Sequence, residues 1–194
     1  MIKKPDIYQI KIKLSAITPA IWRRLMVPND LFLHDLHKVI QTTMGWENAH
    51  LHQFKKNNRV LGFANDEPEL SDRFIDYTSI RLMDILKNLG DSMEYIYDFG
   101  DYWQHEIILE DIHLPDKEIY YPICIEGKRN CPPEDCGGPS GYHEVIKAFN
   151  HPGLPNREDI LNWIEEDWNP EEFDLDYTNS LLLEDDFGCL PLIE

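Results

Sequence analysis

The sequence predicts an α+β fold around a mixed or antiparallel sheet, and three patterns predict it. Tyr8 to Ile17 alternates, with Tyr8, Ile10, Ile12 and Leu14 on one face and Gln9, Lys11 and Lys13 on the other, the period of a half-buried strand. Leu33, Leu36, His37, Ile40 and Met44 repeat at helical spacing, so residues 31–44 form an amphipathic helix that Gly45 closes. Residues 94–112 read as a long hairpin around Asp98-Phe99-Gly100-Asp101.

The other elements follow in chain order. Thr18-Pro19 breaks the first strand, and Ile21 to Val27 forms a second one antiparallel to it. Pro28-Asn29-Asp30 turns the chain into the helix. His50 to Lys55 and Arg59 to Phe63 are short strands joined by Lys56-Asn57-Asn58. The start is therefore strand–strand–helix–strand–strand, as in a β-grasp-like module. Asn65 to Asp76 is acidic and irregular, and Ser79 to Leu89 is a short helix closed by Gly90. Tyr142 to Phe149 and Arg157 to Asp167 are helices, and Asn169 to Asp186 holds a third short helix and a tail. One domain over 1–194 is expected: an α+β core over about 1–118, a Cys/Pro/Gly loop over 119–141, and an acidic helical extension over 142–194.

Composition limits the function classes. The chain has 194 residues and a formal net charge of −18, with 42% hydrophobic and 11% aromatic residues, enough apolar material for a core. The charge is uneven: residues 1–62 hold 10 basic and 4 acidic side chains, and residues 63–194 hold 8 and 32. Such a polyanion does not coat nucleic acid, because phosphate binding works through Lys and Arg. Only a basic N-terminal face, from Lys3, Lys4, Lys11, Lys13, Arg23, Arg24, Lys38, Lys55, Lys56 and Arg59, keeps that option open. Arg23 and Arg24 point to opposite faces of a regular strand, so at most part of this set makes one patch. Docking of the acidic C-terminal segment on it is the preferred use. No apolar run approaches the roughly 20 residues of a membrane span, and the N-terminus lacks a signal-peptide core. A cytoplasmic protein is expected, with its 4 cysteines as thiols or metal ligands.

Ile21-Trp22-Arg23-Arg24, His50-Leu51-His52-Gln53-Phe54, Tyr97 to His105, and Cys131-Pro132-Pro133-Glu134-Asp135-Cys136-Gly137-Gly138 stand in an order that resembles the plasmid pRiA4b ORF-3-like family. The resemblance runs from about Tyr8 to Leu182, and Asn169 to Asp174 also looks like the family's C-terminal pattern. It implies a bacterial or archaeal α+β protein without an established biochemical activity. Some relatives carry transposon-resolvase or insertion-sequence passenger labels. Serine-resolvase chemistry does not fit the residues: the first strand has lysines where an activating Arg is needed, and the C-terminus is acidic instead of a basic DNA-binding tail.

Two clusters have ligand chemistry. Cys124, Cys131 and Cys136 are spaced Cys-x6-Cys-x4-Cys, and soft thiolates suit structural zinc, with His105 or His143 as fourth ligand. Idle thiols in a Pro/Gly loop, or a local Cys131–Cys136 disulfide, are the plainer alternatives. His50 and His52, at i and i+2 of a strand, could join Asp98, Asp101 and His105 in a hydrolytic metal site; paired strand histidines are also common as hydrogen-bonded structural residues. Asp98-Phe99-Gly100 is most simply a hairpin turn, and Glu134-Asp135 a cap or solvated turn. The expected function is a non-enzymatic binding module or a mobile-element-associated accessory module, with zinc as candidate cofactor and a protein as candidate partner. The alternatives are a metal-dependent hydrolase and a nucleic-acid-associated protein.

Overall fold

The alternation of Tyr8 to Leu14 becomes strand β1 (Ile7–Leu14), which places Ile10, Ile12 and Leu14 in the core and Lys11 and Lys13 outside. A computed structural model describes residues 5–63, 73–164 and 167–192. The other strands are β2 (Trp22–Pro28), β3 (His52–Lys56), β4 (Arg59–Gly62), β5 (Phe74–Asp76), β6 (Ser92–Tyr97), β7 (Trp103–His113) and β8 (Ile123–Lys128). They form one sheet in the order β5-β4-β3-β6-β7-β1-β2-β8. Every pairing is antiparallel except β4 with β5. The helices are α1 (Leu33–Met44), α2 (Leu82–Ile85), α3 (Gly138–Asn150), α4 (Arg157–Leu161) and α5 (Leu175–Leu181).

The α+β class and the strand–strand–helix–strand–strand start are as the sequence predicts. The β6–β7 hairpin lies between the two opening hairpins, so β1 and β3 are not neighbours. Other details differ. The irregular stretch ends in strand β5, while its residues 65–72 lie outside the described residues. The helix expected over 79–89 shrinks to the single turn α2, because Met83 and Leu89 face water and only Leu82 is fully buried within the turn. Ile123–Lys128, read as loop, is the edge strand β8, which pairs with β2. α3 starts at Gly138, earlier than Tyr142. Gly138 has φ +66°, and a Cβ there would lie 2.5 Å from the Asp101 carbonyl oxygen, so only glycine fits this approach. α4 ends at Leu161; residues 165 and 166 lie outside the described residues.

One face of the sheet carries α1, whose Leu33, Leu36, Val39, Ile40 and Met44 are buried against Ile10, Ile12, Leu25, Phe54 and Tyr95. Strand β2 then sends its two arginines opposite ways. Arg24 points outward to Glu110, 2.6 Å away, and to Glu126. Arg23 points inward and is 1% exposed. Its Nε donates to the Thr43 carbonyl at the end of α1, and its Nη1 donates to the carbonyls of Trp22 and Lys128. The last carbonyls of a helix lack internal partners and carry partial negative charge, so a cation is stabilising there. Phe173 covers the guanidinium at 3.8 Å. A Cβ at Gly127 would sit 2.4 Å from that ring and 2.9 Å from Arg23 Cδ, so β8 must carry glycine at this point. Burial lowers the Arg23 pKa to about 10, still charged at neutral pH.

The C-terminal segments close over this region. Asn179 on α5 pairs with both the N–H and the carbonyl of Cys124 on β8. Trp168, Phe173, Leu182 and Phe187 pack on the core, Arg129 pairs with Glu171, and Lys38 pairs with Asp186. Of the basic N-terminal set, Lys38 alone makes an ion pair with this acidic segment among the described residues, so apolar packing carries most of the docking. No helix among the described residues is long and apolar enough to cross a membrane.

Two consequences can be measured. Arg23→Met takes its side-chain donors from one buried and two part-buried carbonyls and should cost about 2–4 kcal/mol in urea unfolding. Arg23→Lys should recover only part, since a point ammonium cannot reach the same carbonyls as a planar fork; a loss below about 1 kcal/mol for the Met variant would contradict this. Burial also lowers the imidazole pKa of His37 to about 4 and of His105 to about 3, from 6.5. Between those values the unfolded chain takes up protons that the folded one refuses, so stability is full above about pH 6.5 and falls as pH drops toward 4. The expected loss is about 1–2 kcal/mol per imidazole near pH 5, with both ring signals constant in NMR titration from about pH 8 to 5.

Candidate functional site

Gly45 ends α1, and the chain then runs through Trp46, Asn48 and His50 into β3. Trp46 stacks on Tyr97 at 4.8 Å and donates to the Pro132 carbonyl, which pins the Cys/Pro/Gly loop against this connection. Trp168 holds the same loop through the Cys131 carbonyl. Behind the connection lies a buried polar network. Asn48 Nδ2 donates to the Leu190 carbonyl, so its Oδ1 is the atom that faces His37. His37 Nε2 must then carry the proton it donates to Asn48. Its Nδ1 accepts from the Tyr95 hydroxyl, which in turn accepts from Gln41. The tautomer of His37 is set by this chain of donors.

His52 stacks on His37 with ring centroids 3.4 Å apart and planes 5° from parallel. Two charged imidazoles would repel at this distance. Burial, and then His37 itself, lower the His52 pKa well below the usual range, so the stacked pair is neutral. His52 Nε2 meets the Tyr77 hydroxyl at 2.7 Å. The pair walls a pocket of about 780 Å³, with Phe63, Phe74, Tyr77 and Phe99 around it and residues 189–192 along one side.

His50 marks the edge of the pocket. β3 begins only at His52, so His50 lies in the preceding bend and the strand alternation does not govern it. Its Nε2 lies 3.2 Å from Asp135 Oδ1, 3.8 Å from Glu134 Oε2 and 3.9 Å from Asp98 Oδ2. Glu134 is fixed by its other oxygen, which accepts from the Glu47 N–H and from the Tyr97 hydroxyl. Burial raises the Glu134 pKa. Asp98 is fixed by the Gly100 N–H on its Oδ1.

The residues singled out from the sequence thus separate. His50 and Asp98 come together, joined by Glu134 and Asp135 from the loop. His52 faces the pocket. Asp101 accepts from the Gly137 N–H at the start of α3. His105 is fully buried between Trp46 and Tyr95 with its Nδ1 near the Tyr95 carbonyl, so it cannot join a solvent-reachable cluster. The five-residue His/Asp set is therefore not assembled, because the buried face of β7 claims His105. Nor do Cys124, Cys131 and Cys136 converge with His105 or His143: among the described residues the one group of three or more ligand atoms is His50, Asp98 and Asp135. Cys124 lies in β8, and His143 is on the exposed face of α3. All the cysteines are free, and burial pushes Cys124 up to about 11, Cys136 up to about 12, and Cys131 up as well, so they are thiols at neutral pH.

The basic residues do not merge either. Lys55, Glu94, Glu106 and Lys13 are successive cross-strand neighbours, which sets two carboxylates between the lysines of β3 and β1. Lys11 lies over Trp22, and Arg23 is buried. The outward face is a mosaic of both charges.

The pocket residues missed in the sequence had weak signals. His37 occupied an apolar position of α1, which marks burial but not stacking. Asn48, Tyr77 and residues 189–192 carried none.

Known proteins place this architecture. A crystal structure of a protein of unknown function, MM3350 from Methanosarcina mazei Go1, matches with a TM-score of 0.81 and 35% identity, over 89% of this chain and 97% of that one. The uncharacterized protein y4hQ of Sinorhizobium fredii (strain NBRC 101917 / NGR234) is 36% identical over 159 residues, 81% of this chain and 80% of its own length. The model of the plasmid pRiA4b ORF-3-like proteins matches residues 6–177, nearly the whole sheet and its helical cover, and the chain belongs to that family.

Proposed function

We propose that the chain is a binding module for a small, flat, largely apolar molecule. The observation that carries this reading is the neutral His37–His52 stack that walls the aromatic pocket. The volume, about 780 Å³, falls in the range of small-ligand sites, which are mostly apolar with a few placed polar groups. Here those groups are His52, Asn48 and Gln53, with Lys38 and Asp186 at the rim. Neutral imidazoles offer a flat π-surface and single hydrogen-bonding nitrogens, without the desolvation cost of a buried charge. Such a surface suits an aromatic ring better than an ion or a nucleic-acid backbone. The same geometry weighs against a hydrolase through the five-residue set, since His52 and His105 are turned to other partners.

Protein-observed NMR with indole- and naphthalene-bearing fragments tests the proposal. Bound fragments should shift the His52 and Phe63 ring signals. Thr78→Trp, which fills the mouth from an exposed position, should abolish the shifts while the fold is retained. No shift at His52 across the fragments, or equal binding by the Thr78 variant, would overturn it.

A further inference from the structure

The carboxylates around His50 are arranged in a way the pocket does not require. Asp98, Glu134 and Asp135 come from two separate segments, the β6–β7 turn and the Cys/Pro/Gly loop, and each aims an oxygen at one imidazole nitrogen. His50 Nε2 and Glu134 Oε2 are both buried atoms without a hydrogen-bond partner. Leaving such atoms unpaired costs free energy, so a pair of them facing each other points to a missing bridging group. The spacing identifies it. Two ligand atoms about 2.1 Å from one tetrahedral ion stand about 3.4 Å apart. From His50 Nε2 the oxygens of Asp135 and Asp98 lie 3.2 and 3.9 Å away, which brackets that value, and the ligand atoms of His50, Asp98 and Asp135 all lie within 4.8 Å of one another.

The surroundings fit the same group. Glu134 Oε1 and Asp98 Oδ1 are held by protein donors, which leaves their second oxygens turned to the centre. Metal-ligating carboxylates are oriented in this way. Three carboxylates gathered around one imidazole repel one another, and a divalent cation removes most of that repulsion.

We infer that His50, Asp98 and Asp135 bind one first-row divalent cation at the edge of the pocket, with Glu134 Oε2 beside it. One nitrogen with two carboxylate oxygens suits Mn2+, Fe2+ or Zn2+ better than Ca2+ or Mg2+, and no thiol belongs to the group.

Mn2+ is the probe of choice, because thiols compete weakly for it. Chelator-treated full-length protein is titrated with Mn2+, with free Mn2+ followed by electron paramagnetic resonance and binding heat by calorimetry. One ion per chain is expected. Asp135→Asn and Asp98→Asn should each weaken binding by about tenfold or more. Both positions have positive φ, 53° and 55°, which Asn tolerates as well as Asp, so these variants keep the fold. Cys131→Ser with Cys136→Ser should leave binding unchanged. No bound Mn2+ up to millimolar concentration would overturn the inference, as would Asp variants that bind normally or binding lost only with the cysteines. The readout uses no pocket ligand, so its failure is separate from failure of the binding proposal.

Discussion

The buried guanidinium of Arg23 is the interaction on which the rest of the structure depends. It joins the end of α1 to the carbonyls of β2 and β8, and it gives Phe173 a flat cation to cover. Directly after its partner Lys128, the chain becomes Arg129-Asn130-Cys131 and enters the Cys/Pro/Gly loop. The position of that loop is therefore inherited from Arg23. The loop in turn delivers Glu134 and Asp135 to His50. A buried charge whose hydrogen bonds all go to carbonyls among the described residues thus sets the geometry of a site on the far side of the loop.

The pocket depends on a second constraint, the ordering of donors around Tyr95. Gln41 donates to its hydroxyl, the hydroxyl donates to His37, and His37 donates to Asn48. Each member has one role left once its neighbour is fixed, so the network has a single protonation pattern. That pattern sets the His37 tautomer, burial keeps the ring neutral, and a neutral His37 is what allows His52 to lie parallel to it.

Much of the fold was legible in the sequence because its signals are local. β1, α1 and the β6–β7 hairpin bury one face each, and their periodicity shows it. Strand β8 was not legible, since it is six residues long, follows Pro122 and contains Gly127, with only Cys124 fully buried. Its strand character comes from β2 beside it. The candidate site was half legible. His50 and Asp98 stood out as ligand types, but Glu134 and Asp135 lay between cysteines and read as turn residues until the loop folded onto β6. His105 shows the opposite case. It alternates with Trp103, Ile107 and Leu109 on the buried face of β7, so the period-two rule placed it in the core, and its chemical type was the misleading signal.

The bond from Asn48 to the Leu190 carbonyl has a further consequence. Residues 189–192 form one side of the pocket, and the same bond fixes which way the Asn48 amide points. Lifting this tail would widen the pocket and free the amide to rotate, which would release His37 to take its other tautomer. Access and imidazole state would therefore change together if this tail were lifted, because one bond holds both.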